Sequence, residues 1–212
     1  IQFADIFECL DIEIITKIAS SLTQGSLEYD AFERVIMNRC NSMWYEKHQD
    51  EYGLLLATVR FLRCLDKPIP KDLDTSEYIN KYTTEYYKID TEYRRAVTCY
   101  RNLDNPTEEF EGLMDVIENS YQIKFLDVLG PEYSKALSKQ DGWDFVGNDM
   151  AEDFYRIIQK NPTKKMFVIV SDALRYEIGQ EIYEKIKINK MLKGGAEISH
   201  MISPLPSITS FG

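Results

Sequence analysis

Met166-Phe167-Val168-Ile169-Val170-Ser171-Asp172-Ala173-Leu174-Arg175-Tyr176-Glu177 is the segment on which the architecture of this chain turns. Five apolar residues in a row, three of them β-branched, followed by a hydroxyl, a carboxylate and a helical pattern, read as a buried parallel strand. Asn161-Pro162 and Lys164-Lys165 mark the change of pattern just upstream. The helix expected from Arg175 to Ile188 sets Ile178, Ile182, Tyr183 and Ile186 on its inner side. Gly194-Gly195 makes a turn, and Ala196 to Ile202 alternates weakly as a second strand. Pro204-Leu205-Pro206-Ser207-Ile208-Thr209-Ser210-Phe211-Gly212 then leads toward a further helix. Strand, helix, strand and helix start is the opening of a doubly wound α/β domain. Ligands of such sheets sit at the carboxyl ends of the strands. Ser171-Asp172 and Ser207 to Gly212 both fall at that edge.

A carboxylate at the end of a buried strand is costly unless it is paired, hydrogen-bonded or bound to a metal. Asp172 therefore reads either as a cap for Leu174-Arg175-Tyr176 or as a ligand. A hydroxyl residue just past a strand and a proline, at a helix N-terminus, has backbone N–H groups and a positive dipole end nearby to hold an anion. Thr209 beside a divalent cation is placed to ionise and attack phosphorus. The competing reading is a loop whose Ser and Thr hydroxyls satisfy turn backbone.

Upstream, the chain reads as helical. Apolar positions recur at helical steps between Ser42 and Leu65, and Pro68 and Pro70 stop that helix. A second pattern, capped by Thr75 or Ser76, carries Tyr78, Tyr82, Tyr86, Ile89, Tyr93, Val97 and Tyr100 on one face and ends near Asn102. A third starts at a Thr107 cap and runs to a break at Gly130-Pro131. Shorter helices are expected over residues 3–22, 28–40 and 131–138. The tyrosine stripe lacks interleaved Lys and Arg, and Glu85, Asp90 and Glu92 lie among its rings. It reads as core or subunit packing rather than a base-stacking platform, with the charged residues on a solvated face.

The 212 residues carry 25 Lys+Arg against 35 Asp+Glu, a formal net charge of −10. Such a surface repels phosphate backbones and excludes a generic basic nucleic-acid coat. Cys9, Cys40, Cys64 and Cys99 are widely spaced with no C-x-x-C pair, which argues against a zinc ribbon and for small hydrophobes in a reducing cytoplasm. No apolar run approaches the ~20 residues that span a bilayer. His48 is given no role, for want of a carboxylate or cysteine expected near it.

Val168-Ile169-Val170-Ser171-Asp172-Ala173-Leu174-Arg175-Tyr176-Glu177, followed by Leu205-Pro206-Ser207-Ile208-Thr209-x-x-Gly212, closely resembles the PglZ domain. That family belongs to the alkaline-phosphatase superfamily and is found in bacteriophage-exclusion (BREX) defence systems of bacteria. Gln140 to Phe145 and a helix from Ala151 to Gln159 look like the stretch leading into the domain. The resemblance covers roughly residues 140–212; the helical part resembles the family's N-terminal half in general character only.

The resemblance implies that Asp172 is a metal ligand and that Thr209 is both a ligand and the metal-bound nucleophile, with Ser207 as the alternative hydroxyl. It also implies that Arg175 holds phosphate oxygens, unless a salt bridge to Glu177 or Glu181 claims it. The superfamily's histidine ligands come from the later half of the domain, so His200 is read as a strand or surface residue. The metal would be Zn, Mn or Mg.

The chain opens on Ile1-Gln2-Phe3 and ends three residues after Thr209. The expectation is a piece of a longer protein: a helical domain over residues 1–160, then the incomplete start of an α/β domain over 161–212. Two metals about 3.5–4 Å apart need more ligands than Asp172 and Thr209 supply. The piece alone is therefore expected to be inactive and without bound metal. The parent would be a metal-dependent phosphatase or phosphodiesterase, with nucleic acid among its candidate esters. The alternative is a helical scaffold that docks other defence-system proteins beside a degenerate hydrolase domain. Cytoplasmic location, no membrane contact, and nucleic acid reached only through the full protein or its partners complete the expectation.

Overall fold

The computed structural model describes residues 6–140, 142, 149–159, 167–171, 174–189 and 195–203. The described chain is mostly helical, as the periodicity predicts. It divides into two compact units, one made of residues 1–72 and 88–134, the other of 73–87 and 135–212.

In the first unit, α1 (Glu8–Thr23), α2 (Tyr29–Arg39), α3 (Gln49–Leu65) and α6 (Glu108–Ser120) form a helical core. α3 packs against α1, α2 and α6. Tyr52, Leu54, Leu55, Val59 and Phe61 on α3 are all fully buried. Such spacing closes a wide apolar face against three neighbours, and at ~2–3 kcal/mol per large side chain it supplies most of the drive to fold. Cys99 of α5 (Tyr87–Asn102) comes so close to α3 that a Cβ at Gly53 would lie 2.8 Å from its Sγ.

The same core holds an ion pair. Arg39 Nε donates to Asp11 Oδ1 at 2.9 Å and Nη2 to Oδ2 at 2.6 Å, while the Tyr52 hydroxyl donates to Oδ1 at 2.5 Å. Burial, and then the Asp11 carboxylate, push the Tyr52 phenol far up.

α2 and α3 are clamped nearer the surface. Arg60 Nε and Arg63 Nη1 donate to the two oxygens of Glu33 at 2.8 and 2.6 Å. Burial acts to raise the Glu33 pKa, but the Arg60 and Arg63 hydrogen bonds outweigh it and hold it below the usual range. A depressed carboxylate contributes stability that is fully present above its unfolded value of about 4.3 and is lost as pH falls through the folded one. The stability gap between wild type and Glu33→Gln is therefore expected to be widest at neutral pH and to shrink below about pH 4.3. Urea unfolding across pH 3–7 measures it, and a gap independent of pH would contradict this account.

The stripe of tyrosines is core packing, with two corrections. Tyr78, Tyr86 and Ile89 are buried, and Tyr93 stacks on Tyr121 with ring centroids 4.0 Å apart and planes 7° from parallel. Asp90 and Glu92, however, are buried rather than on a solvated face. The Tyr121 hydroxyl donates to Asp90 at 2.7 Å, and Arg95 Nη1 donates to Glu92 at 2.8 Å, which makes their burial tolerable. The helix is not regular throughout. α4 (Thr75–Lys81) passes into a π turn at Tyr82–Tyr86 and then into α5, which ends at Asn102 as expected. Its cap is Asp74 rather than the expected Thr75 or Ser76, in a reciprocal capping box with Glu77.

Gly130-Pro131 does not break the third helix. α6 runs into a second π turn at Tyr121–Leu126 and on through α7 (Asp127–Ser138), with Pro131 inside. Pro131, the fifth residue of α7, has no N–H to give the Asp127 carbonyl, so the helix continues past it at the loss of one backbone bond.

In the second unit, β1 (Asp149–Met150) pairs in parallel with β2 (Met201–Ile202), in the register Asp149 to Met201 and Met150 to Ile202. Between them lie α8 (Phe154–Gln159) and α9 (Tyr176–Ile188). The strand expected at 166–170 is corrected over its described residues. Residues 167–170 form no strand, and Phe167, Ile169 and Val170 are 81, 91 and 82% exposed. A parallel strand needs paired edges and covered faces, and the sheet among the described residues has only the two short strands. Ile182 and Ile186, expected on the inner side of α9, are exposed among the described residues.

Candidate active site

α9 begins within the motif segment. Its N-cap falls on Arg175, in an extended conformation with no side-chain cap, and its first turn carries Tyr176 and Glu177. Asp172, Ser207 and Thr209 lie outside the described residues, so of the expected site residues only Arg175 has described geometry.

Tyr176 seats the helix. Its hydroxyl donates to the Thr83 carbonyl at 3.1 Å and accepts from Gln180 Nε2 at 2.5 Å. Thr83 lies within the first π turn. Such a turn departs from the regular backbone ladder, and here one of its carbonyls takes a side-chain donor. Around the ring stand Tyr87, edge-on at 5.7 Å, Tyr82 at 6.3 Å, and His200, edge-on at 6.1 Å. Burial, and then the phenol of Tyr176, raise the pKa of Tyr87. Nothing in the order of residues distinguishes Tyr176 from the other tyrosines, and its anchoring role is visible only once the π turn is placed. Tyr176→Phe keeps the ring contacts and loses the hydroxyl. It is expected to cost α9 ~1 kcal/mol, read as faster amide exchange across Ile178 to Ile182.

Glu177 is fully buried, and neither of its carboxylate oxygens has a hydrogen-bond partner. Arg175 Nε lies 3.0 Å from its Oε1, an ion pair that lacks hydrogen-bond alignment. The Arg175 side chain stays 59% exposed. The salt bridge weighed for Arg175 is thus formed, to Glu177. An acid in a first helical turn ordinarily reads as a solvated partner of the dipole, which is why its burial was not foreseen.

His48 needs correction. It is buried, with Nδ1 3.2 Å from Glu51 Oε1 and Nε2 3.1 Å from Glu8 Oε1. Glu51 stands one helical turn on and was legible from spacing; Glu8 is brought in by α1. His48 and Glu51 also line a hollow of about 110 Å³ with Ile12, Ile15 and Glu109. That is well below the ~300 Å³ at which small-molecule pockets begin. Among the described residues no three His, Cys, Asp or Glu side chains are grouped to hold a metal ion. The four cysteines are free thiols, Cys9 exposed and the others partly covered. No described helix is long and apolar enough to cross a membrane.

Residues 152–212 match the BREX system PglZ alkaline phosphatase-like domain. The chain is similar to PglZ proteins over nearly its whole length. The alkaline phosphatase-like protein PglZ of Bacillus cereus (strain H3081.97) is 28% identical over 221 residues, covering 99% of this chain and 25% of that protein. The alkaline phosphatase-like protein BrxZ of Escherichia coli O9:H4 (strain HS) is 27% identical over 230 residues, covering 98% of this chain and 26% of that protein. The chain thus spans about a quarter of the length of the curated relatives it matches. No solved structure matches it. PglZ likeness therefore extends over the helical region as well as the motif segment, although the domain match itself starts at α8.

Proposed function

We propose that the protein carrying this sequence is a metal-dependent phosphoric-ester hydrolase of the alkaline phosphatase type, acting in bacterial phage defence. The observation that carries the reading is the match of residues 152–212, which include Asp172 and Pro206-Ser207-Ile208-Thr209, to an alkaline phosphatase-like domain. In this reading residues 1–160 are a helical domain and 161–212 the first part of a doubly wound α/β domain.

Asp172 and Thr209 together offer two oxygen donors, too few for a two-metal centre, and the described residues add no cluster to them. In the whole protein Asp172 and Thr209 would hold a divalent metal together with further ligands, and the metal would supply the charge that favours the ionised hydroxyl. The chain's own contribution is at phosphorus. The Thr209 oxygen bonds to phosphorus as the bond to the ester oxygen breaks, and the hydroxyl proton passes through solvent to that oxygen, which leaves as an alcohol. Water then splits the phospho-threonine, releasing phosphate from a monoester or the monoester from a diester and restoring the hydroxyl. Ser207 is the alternative nucleophile. Arg175 is assigned to the phosphate oxygens, its fork matching their geometry. Other defence-system proteins are the proposed partners, and the net charge of −10 favours reaching nucleic acid through them.

Hydrolysis of bis-p-nitrophenyl phosphate, with and without Zn, Mn or Mg, tests the reading. A full-length protein carrying this sequence is expected to turn the ester over only with metal, and the 212-residue chain alone to show no rate above background. A full-length protein inert with every metal would refute the hydrolase. A clear rate from the short chain, lost in Asp172→Ala and Thr209→Ala, would refute the need for further ligands.

A further inference from the structure

We infer that Glu177 is a positioning residue, holding Arg175 by its Nε so that the two terminal amino groups face outward to receive a tetrahedral oxyanion. The inference rests on the reading of Arg175 as a phosphate-binding residue and adds the residue that would orient it. A carboxylate removed from water needs a compensating cation, and Glu177 is fully buried with no hydrogen bond to either oxygen. The cation it has is Arg175, whose Nε lies 3.0 Å from Oε1. The closest approach is at the inner nitrogen of the guanidinium, and Nη1 and Nη2 make no hydrogen bond among the described residues. One end of the fork is fixed against a buried charge and the other stands in an exposed side chain. A fixed base with an open fork loses less freedom when it binds a bidentate oxyanion than a free surface arginine does. Tyr176, between the two in sequence, fixes the backbone from which both project through its bond to Thr83.

The experiment is calorimetric titration of orthovanadate into a full-length protein carrying this sequence, with hydrolysis of bis-p-nitrophenyl phosphate measured in parallel. Glu177→Gln and Arg175→Ala are each expected to weaken vanadate binding roughly tenfold, and the double variant no further. Glu177→Gln should raise KM for the ester by a similar factor and leave kcat near wild type. Unchanged vanadate affinity in Glu177→Gln, or losses that add in the double variant, would overturn the positioning role. Should Glu177→Gln not fold, Arg175→Lys decides: it keeps the charge and lacks the Nε contact, so wild-type affinity there also overturns it. Failure of the hydrolase reading looks different, with vanadate bound and weakened as expected while no ester is cleaved.

Discussion

Asp11→Ala is expected to lower the free energy of unfolding of the first unit by about 3–5 kcal/mol, a large share of the ~5–15 kcal/mol that holds a typical domain folded. The reason lies with the residue left behind. Arg39 is fully buried, and its Nε and Nη2 both donate to the Asp11 carboxylate. Without that carboxylate a guanidinium stays charged in the core, and the Tyr52 hydroxyl loses its acceptor as well. Asp11→Asn, which keeps the size, should recover only part of the loss because the charge is what matters. Replacing both partners by apolar residues should cost far less than replacing one, since the desolvation of both ions is then avoided. Urea unfolding followed by far-UV circular dichroism measures all of these, and a loss under 1 kcal/mol for Asp11→Ala would show that the core takes up water or rearranges around Arg39.

In a full-length protein carrying this sequence, Thr209→Ala should cut ester hydrolysis by ~10³-fold or more, because removal of a nucleophile leaves only the binding and electrostatic contributions. Thr209→Ser restores a hydroxyl at the same backbone position and is expected to keep a substantial fraction of the rate. Asp172→Ala should match Thr209→Ala in kcat and raise the metal concentration needed for half activity. Ser207→Ala should stay within a few-fold of wild type. If instead Ser207→Ala abolished turnover and Thr209→Ala did not, the nucleophile would be Ser207. Single-turnover trapping of a phosphorylated protein, followed by mapping of the modified residue, separates these outcomes.

The helices were legible because their signals are local. The run from Tyr78 to Tyr100 repeats with helical period, and its end at Asn102 follows from the residues beside it. Events that depend on distant chain were not legible. Asp90 and Glu92 looked solvated until Tyr121 and Arg95 reached them. Glu8 meets His48 only because α1 folds back across α3. The parallel pair of Asp149–Met150 with Met201–Ile202 joins residues about fifty positions apart, and two-residue strands have no periodicity to detect. Residues 167–170 have the composition of a buried strand, yet composition supplies no neighbour to pair with. Of the candidate site, a salt bridge from Arg175 to Glu177 or Glu181 was legible from an arginine at a helix start, and Glu177 is the one that forms it. That the acid would be sealed from water was not, because acids at helix starts are usually solvated.

The π turn at Tyr121–Leu126 also bears on how this region tolerates changes in chain length. A π turn carries one residue more than regular α-helix needs for the same path, and single-residue length changes are the natural way to create or remove it. Deleting one residue there should return the segment to α register while leaving the side chains after it on the faces they now occupy, whereas a deletion in regular α-helix would swing them by about 100° around the axis. Phe125 would then stay on the side of Tyr121, and Tyr93 and Tyr121 would keep their stack. Length variation of one residue among homologous sequences at this point would therefore be absorbed inside the helix, leaving the face that α7 presents unchanged.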